Sequence, residues 1–431
     1  MNIRNGMIIV AILTAALTGG QGIGDPVYQK ETDGVLRWLL AHRDEPTGLP
    51  YSHVGDPRFE RWTITYDAAV VALAYVAAGR TADAEKILDF YLKTPQVWRL
   101  GGIIEAVVAG EQVSGKDWSV RSGANLWMGI AALHVYQATG EPRFLELART
   151  LADFALALQD KIPDSFNFGG IPLGPPGDPA FENDQRLGHD PSQRTFQEIF
   201  ATEVNIDAYV LFSMLAKETR EESYHRAAQD VFAWLKAFGY NNRLHRFNRG
   251  YGDEAAATDV HSWAVSALGW YGLESIAPGS TENILRFVEE QCLVEVGIRK
   301  PDGTTVQVRG VDFVDRDSAK ALKRNVMISP EWTFQLANAY LRLEREDGRR
   351  GLPAEAERME QKRSALIRDM LKLAVQDNNG TLAFPYATLA DAPIGHEYRT
   401  PAEGNLSAIG AAYGILALQG YDPLDLNRRD F

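Results

Sequence analysis

Two kinds of helical segment alternate along the chain. One kind is rich in Ala, Gly, Leu and aromatic residues and carries almost no Lys or Arg before its end. A helix that is apolar on nearly every side must be buried on nearly every side, so these segments are predicted to form the interior. They are residues 65–79, 122–140, 202–219, 259–275, 329–344 and 403–420.

The other kind of segment is amphipathic. In residues 142–160, Phe144, Leu147 and Leu151 follow helical spacing with charged residues between them. This spacing indicates one buried face and one exposed face. The remaining amphipathic segments are residues 27–44, 81–94, 222–239, 280–297 and 353–376.

The alternation predicts the fold class. An amphipathic segment is followed by a buried one six times over. A helix pair cannot bury its apolar face alone, and closing the pairs into a ring buries all of these faces at once. The pattern therefore predicts an all-α (α/α)6 toroid with six inner and six outer helices.

The connections between helices predict which face of the toroid holds a site. The chain takes only a few residues from a buried helix to the next amphipathic one, and much longer loops in the other direction. Long ordered loops in a compact domain are usually functional. These loops all lead into the N-terminal ends of the buried helices, so that face is predicted to hold the site. The long loops are residues 45–64, 95–121, 161–201, 298–328 and 377–402.

The N-terminus has the pattern of an export signal. Arg4 supplies a positive charge, residues 7–17 are apolar, and small residues follow. We therefore predict a signal peptide over residues 1–20 and a periplasmic or secreted protein with no membrane span after cleavage. An uncleaved anchor is the alternative. Residues 25–431 are predicted to form a single domain, because no linker rich in Pro, Ser or Gly interrupts the alternation.

Composition narrows the range of partners and cofactors. The formal net charge of −13 disfavours nucleic acid and anionic membranes, and suits a neutral or cationic substrate. Cys292 is the only cysteine, so no intramolecular disulfide forms, and we interpret it as a small core residue. The sequence has no metal-site spacing of Cys and His, no phosphate-binding glycine loop and no dinucleotide fingerprint. No metal or cofactor is predicted, and the oligomeric state is left open.

Acidic or amide residues alternate with aromatic residues where the buried helices begin. The helix dipole explains an acid at one helix start, but it does not predict a Trp or Tyr beside the acid nearly every time. A pyranose presents apolar C–H faces that stack on rings, and hydroxyls that need donors and acceptors. The predicted sugar-binding residues are Trp62, Tyr66, Trp118, Arg121, Asn125, Asn205, His261, Trp263, Trp332 and Glu403. Trp127, Trp234 and Trp270 lie inside helices and are interpreted as core.

In these features the chain resembles the six-hairpin glycosidase superfamily, the (α/α)6-barrel enzymes that act on carbohydrates. The resemblance covers about residues 27–423 and rests on segments such as "SGANLWMGIAALHVYQATGEPRFLELARTLADFALALQD", "ATEVNIDAYV" and "SPEWTFQLANAYLRL". It implies the toroid fold and a carbohydrate substrate. The superfamily includes inverting glucosidases, unsaturated glucuronyl hydrolases and phosphorylases, and related toroids include epimerases and polysaccharide lyases. The resemblance therefore leaves the reaction open.

Two carboxylates are predicted to carry the chemistry. Glycoside hydrolysis needs one protonated acid and one base or nucleophile across a cleft. Glu331 and Glu203 head non-adjacent buried helices, each after a long loop. Burial against Trp332 is expected to raise the pKa of Glu331, as a general acid requires. Glu203 has more polar neighbours and is expected to stay ionised as the base.

Three further acids complete the predicted catalytic set. Asp207 lies one helical turn after Glu203 and is expected to orient Glu203 or the attacking water. Asp259 and Asp67 are rivals for the acid or base role, because each heads a buried helix beside an aromatic residue. Glu105 is a weaker candidate, on a loop with no aromatic neighbour in sequence.

The leading interpretation is an exported glycoside hydrolase that inverts configuration at the anomeric carbon. A polysaccharide lyase is the first rival, with Tyr66 or His261 as base and Asn125 and Arg121 neutralising a uronate. The excess of acidic over basic residues counts against a polyuronate. The pattern is also compatible with a sugar epimerase of the same toroid class and with a non-catalytic glycan-binding protein.

Overall fold

The computed structural model describes residues 26–110, 114–178, 195–299, 303–395 and 398–428. The predicted signal peptide, residues 1–20, lies outside these ranges. Helices dominate the part described. They are α1 (Gln29–Ala41), α2 (Thr65–Ala77), α3 (Thr81–Lys93), α4 (Ser122–Thr139), α5 (Pro142–Leu158), α6 (Thr202–Thr219), α7 (Glu222–Trp234), α8 (Thr258–Ile276), α9 (Ser280–Phe287), α10 (Arg316–Ala321), α11 (Pro330–Arg349), α12 (Pro353–Leu373) and α13 (Ala408–Leu418).

Six of these helices form an inner ring: α2, α4, α6, α8, α11 and α13. Each contacts the next in chain order, and α13 contacts α2, which closes the ring. Every residue of α13 is buried, and so is nearly every residue of α2. Each inner helix is covered by two inner neighbours and one outer helix. This burial explains why these segments are apolar on nearly every side. The predicted all-α (α/α)6 toroid is confirmed.

The outer helices lie against the inner ring. Helices α3, α5, α7, α9 and α12 each follow an inner helix after a short turn and contact that helix. Helix α1 contacts α13, so the first and last helices of the chain form the sixth pair. In α5 the buried face consists of residues at helical spacing, among them Phe144, Leu147 and Leu151. The short helix α10 lies in the loop that precedes α11.

Main-chain hydrogen bonds link the start of each inner helix to the next loop around the ring. In five cases a residue at a helix start donates its N–H to a carbonyl oxygen in the loop that leads into the following inner helix. In the sixth, the N–H of Thr388 in the loop before α13 donates to Ile328 O, just before α11, at 3.0 Å. The first five bonds are Thr65 to Glu105, Ser122 to Leu173, Thr202 to Arg249, Thr258 to Phe313 and Ala408 to Ser52, at 2.8 to 3.1 Å.

Short strands brace the loops on this face. Strand β1 pairs with β13 and joins the two ends of the ring, with His53 opposite Ser407. Strands β9 and β10 form the longest hairpin, after α9. The strands are β1 (His53–Val54), β2 (Trp62–Ile64), β3 (Trp98–Arg99), β4 (Gly102–Ile103), β5 (Ala106–Val108), β6 (Ser114–Asp117), β7 (Tyr240–Asn241), β8 (Arg246–Phe247), β9 (Leu293–Arg299), β10 (Thr305–Val311), β11 (Val375–Gln376), β12 (Leu382–Ala383) and β13 (Leu406–Ser407).

The opposite face is closed by short turns and by the residues after α13. Arg342 is almost fully buried there and forms ion pairs with Asp425 and, at 2.9 Å, with Glu346. Asp422 is buried next to them. We call Arg342, Glu346, Asp422 and Asp425 the turn-face network.

Two sequence inferences concern single features of the fold. Cys292 is buried and unpaired, as the core interpretation predicted. Within the ranges described, none of the helices combines the length and apolarity that a membrane crossing requires.

Candidate active site

The inner helices present equivalent positions to one shared space, which we call the lumen. Counted from the first residue of each helix, positions 2 and 6 lie one turn apart on the same helix face. The position 2 residues are Tyr66, Gly123, Glu203, Asp259, Glu331 and Ile409. The position 6 residues are Val70, Trp127, Asp207, Trp263, Gln335 and Tyr413. Most of the site is therefore built from two residues per helix.

Glu331 is held by two donors on one oxygen. The Tyr66 hydroxyl donates to Glu331 Oε1 at 3.0 Å, and Gln335 Nε2 donates to the same oxygen at 3.1 Å. The Tyr66 and Tyr413 hydroxyls lie 3.2 Å apart. Burial, together with the negative charge of Asp67, raises the pKa of Glu331 to about 8, although both hydrogen bonds oppose the shift.

Four other carboxyl groups belong to the same cluster: Asp67 and Asp259 interact with Glu331 through their charges, and Glu203 and Asp207 interact with Asp259. Burial and the charge of Glu105 raise the pKa of Asp67 to about 7. Burial and the charge of Glu203 raise the pKa of Asp207 and of Asp259 well above the usual range. Glu203 is only partly buried. We call Asp67, Glu203, Asp207, Asp259 and Glu331 the acid cluster; it contains every carboxylate predicted to be catalytic.

Aromatic side chains surround the acid cluster. The Trp127 ring lies 5.5 Å from Tyr66, 5.2 Å from Trp263 and 6.3 Å from Tyr413, measured between centroids. Trp127 also moderates the pKa shift of Asp207, which places its indole beside that carboxyl group. Trp127 is buried, as the core interpretation predicted, and it is also part of the site. Trp263, a predicted sugar contact, lies in the same group.

A second row of rings runs along the loop face towards the acid cluster. Neighbouring centroids are 4.6 to 5.7 Å apart in the order Trp62, Phe59, His53, Tyr386, Phe313 and Trp332. Burial and the charges of Glu331, Asp67 and Asp259 raise the pKa of Tyr386 well above its usual range. Tyr386 therefore stands beside the acids, although it lies in a loop and the sequence pattern did not single it out. Burial lowers the pKa of His53 to about 4.

Three predicted sugar-binding residues serve the scaffold. Asn125, Asn205 and His261 are each the fourth residue of an inner helix and are fully buried. The amide of Asn125 bonds both main-chain groups of Ile103, and the amide of Asn205 does the same for Ile171.

His261 has the same orientation. Its Nδ1 lies 2.9 Å from the Ala257 carbonyl oxygen, and its ring lies against Phe287. Position 4 therefore points at the scaffold while positions 2 and 6 point into the lumen, and the predicted role of these three residues in sugar binding stays a prediction.

The remaining predicted sugar contacts lie on the rim. Trp118 is 45% exposed. The Arg121 guanidinium lies over the rings of Phe196 and Tyr398, at 4.9 and 5.6 Å from their centroids. Glu403 is exposed and lines a cavity of about 230 Å³ that Tyr386 also borders.

Trp332 lies next to Glu331 in sequence and was predicted to raise the pKa of that acid. It is buried with its ring 4.7 Å from Phe313. The high pKa of Glu331 comes from burial and from the charge of Asp67. The pKa is raised as predicted, and the contribution of Trp332 to that burial stays a prediction.

A larger cavity of about 900 Å³ lies away from the acid cluster. It is open and is lined by the β9–β10 hairpin and α10, including Glu295, Lys320 and Lys323. Its residues do not include any of the acids or lumen aromatics. Within the described ranges, no three His, Cys, Asp or Glu side chains are arranged to hold a metal ion.

Solved structures share this architecture. No known protein family and no curated protein matches the chain by sequence. A cellobiose 2-epimerase from Bacillus thermoamylovorans is 10% identical, with a TM-score of 0.60 over 91% of this chain and 99% of that one. An unsaturated glucuronyl hydrolase with dGlcA-Glc-Rha-Glc is 12% identical, with a TM-score of 0.60 over 93% of this chain and 100% of the other.

A third relative in structure is an inactive variant of an α-1,6-mannanase from a Salegentibacter species, in complex with α-1,6-mannotetrose. It is 12% identical, with a TM-score of 0.56 over 92% of this chain and 98% of that one. At such identities the likeness establishes the fold. The chain therefore has the (α/α)6 toroid fold of these solved structures, which is the fold that its sequence resemblance implied.

Proposed function

We propose that this protein is a glycoside hydrolase that inverts configuration, with Glu331 as general acid and Glu203 as general base. The observation that carries the proposal is the state of Glu331, which is buried, hydrogen-bonded and raised in pKa to about 8. A general acid must hold its proton at the working pH and release it in the transition state. Glu331 meets the first requirement at neutral pH.

The hydrogen bonds also indicate which oxygen of Glu331 carries the proton. Tyr66 and Gln335 both donate to Oε1, so that oxygen acts as the acceptor. In the neutral carboxylic acid the proton then sits on Oε2. Glu331 Oε2 has no hydrogen-bond partner among the described residues. It is also not among the side-chain atoms that are fully enclosed by protein. It is the oxygen available to protonate a glycosidic oxygen in the lumen.

Glu203 is best placed among the acids to remain ionised as the base. It is partly exposed, whereas Asp67, Asp207, Asp259 and Glu331 are all at most 5% exposed. Water stabilises a carboxylate, and burial penalises it. The negative charge of Glu203 is itself a cause of the raised pKa of both Asp207 and Asp259. The raised pKa of those two acids favours their protonated form, which can donate a hydrogen bond to water or substrate.

The rival functions are less well supported. A lyase would use Tyr66 or His261 as base, but Tyr66 is engaged with Glu331 and His261 is buried against Phe287. An acid cluster also disfavours the uronate that a lyase must bind. An epimerase would change a sugar's configuration without cleaving it, and a binding protein would do neither, so both remain as outcomes of the test.

The proposal is tested by measuring products on a panel of polysaccharides that includes α-1,6-mannan, with cellobiose to detect epimerisation. A hydrolase releases new reducing ends, and proton NMR of the first product gives its anomeric configuration. Glu331→Gln and Glu203→Gln should each lose about 10²- to 10⁴-fold in turnover while glycan binding persists. Asp422→Asn is the matched control, because Asp422 is a buried acid in the turn-face network.

Three results would contradict the proposal. Near-normal turnover in either glutamine variant removes that residue from its role. Retention of anomeric configuration excludes inversion, and an isomerised disaccharide without cleavage identifies an epimerase.

A further inference from the structure

We infer that the lumen recognises a positively charged group on its glycan, the ammonium of an amino sugar that is not acetylated. The inference rests on the proposed function, since it names the substrate class of the same site. Its basis is a set of buried carboxyl groups for which the protein supplies no countercharge. Asp67, Asp207, Asp259 and Glu331 form no ion pair with any Lys, Arg or His in the part of the chain described.

Asp67 Oδ2 and Asp207 Oδ1 are buried and form no hydrogen bond of ordinary length, although the side chains of Ser52 and Trp127 lie close enough to these two acids to lower their pKa. The side chains that bear them are 3% and 1% exposed. A buried polar atom left unpaired costs about 1–3 kcal/mol, so native structures rarely keep one without a reason. Asp207 faces the lumen and Asp67 lies close enough to Glu331 to raise its pKa, so a donor from outside the chain could complete the hydrogen bonding of both acids.

The surroundings favour a cationic donor over a neutral hydroxyl. Trp127 lies beside Asp207, and the ring centroid of Trp263 is 5.2 Å from that of Trp127. Indole faces attract ammonium groups through their quadrupole, and they also stack on the C–H face of a sugar.

Burial favours the protonated form of these acids. Burial raises the pKa of Asp67 to about 7 and that of Asp207 well above its usual range. An ammonium group favours the ionised form of a nearby carboxyl, so binding must release protons. The other titratable groups facing the cluster are Tyr66, Glu105, Glu203, Asp259, Glu331, Tyr386 and Tyr413.

The test compares sugars that differ only at C2. Methyl glycosides of glucosamine, glucose and N-acetylglucosamine, and the three galacto counterparts, are titrated into the full-length protein by calorimetry at pH 5 and pH 7. Both values lie below the pKa of about 8 of an amine with electron-withdrawing neighbours. At pH 7 one amino sugar should bind about 10- to 100-fold tighter than its hydroxyl counterpart, the factor expected for hydrogen bonds to charged groups. This preference should shrink at pH 5.

Proton release is the second readout. Titrations at pH 7 in two buffers of different ionisation enthalpy should show protons leaving the protein when the amino sugar binds. Asp207→Asn should abolish both the preference and the release while neutral sugars still bind. Asp422→Asn, in the turn-face network, should leave both unchanged.

Equal affinities for the amino, hydroxyl and acetamido sugars in both series would overturn the inference. So would an amino-sugar preference that Asp207→Asn and Asp67→Asn both leave intact. Neither result touches the proposed hydrolysis, which is judged by cleavage of neutral polysaccharides. Loss of cleavage in an enzyme that still prefers amino sugars would instead overturn the proposed function alone.

Discussion

The two ends of the inner ring bury acidic groups in opposite ways. At the turn face, Arg342 lies between Glu346 and Asp425, so each of these charges has a partner. At the loop face, Asp67 and Asp207 are equally buried, and the described residues give them no cation. A buried acid with a countercharge ties structural elements together. A buried acid without one is unstable as an anion and becomes available for proton transfer or ligand binding.

The largest effect on stability is expected from removing Arg342, the cation of the turn-face network. Arg342→Met should lower the free energy of unfolding by about 3–5 kcal/mol, because Glu346 and Asp425 are left buried without their partner. Urea denaturation at pH 7 measures the loss. Glu331→Gln is the contrasting variant, since it removes an acid that repels its neighbours and should not destabilise the fold at this pH. Equal destabilisation by the two variants would show that the two ends do not differ.

The next prediction concerns stability against pH. The pKa of Glu331 is about 8 in the folded chain against a free value of 4.5, so the folded state holds the extra proton between those values. Stability contributed by this group is complete below about pH 4.5 and is lost as pH rises towards 8, a change on the order of a few kcal/mol. Glu331→Gln should flatten the decline between pH 6 and pH 8.

Asp422, in the turn-face network, gives a second buried acid whose effect on stability against pH can be compared with that of Glu331. Burial and the charge of Asp425 raise its pKa to about 6. Asp422→Asn should therefore flatten the curve between about pH 4 and pH 6 and leave the higher window unchanged. If both variants alter the same window, the separation of the two clusters is wrong. Denaturation midpoints from pH 4 to pH 8 give the result.

The smallest expected effect tests how Glu331 is held. Tyr66→Phe removes one donor to Oε1, and that hydrogen bond is worth about 0.5–1.5 kcal/mol, or up to tenfold in rate. Because the Tyr66 hydroxyl lowers the pKa of Glu331, its loss should move the alkaline limb of the pH–rate profile upward. Tyr413→Phe is the control, since Tyr413 contacts the Tyr66 hydroxyl but gives Glu331 no hydrogen bond. Identical profiles for the two variants would count against the assignment.

The fold was largely predictable because the composition of each segment indicates how much of its surface is buried. Residues 408–418 contain no charged side chain and lie wholly inside, while residues 142–158 are amphipathic and lie outside. The loop face was predictable for a similar reason, since the long connections all precede inner helices. These are properties of single segments, and they do not depend on the partner each segment finds.

The site was less predictable because it depends on the rotation of each helix. Asn205 and Asp207 are two residues apart, and only Asp207 faces the lumen. Aligning the six helix starts would have separated positions 2 and 6 from position 4 and would have found Gln335 and Tyr413. Tyr386 could not be found in this way, because a loop has no period and its place beside Glu331 is set by tertiary packing.

The main-chain links around the ring have a consequence for how such a protein can change. Their donors and acceptors are peptide groups, which every residue except proline supplies in full, so side chains at the linked positions can be exchanged without cutting the ring. The rim can then acquire new specificity one residue at a time on an unaltered frame. A main-chain ring of this kind can keep its shape while the side chains of the site change. This agrees with the fold that the chain shares with solved structures only 10 to 12% identical to it.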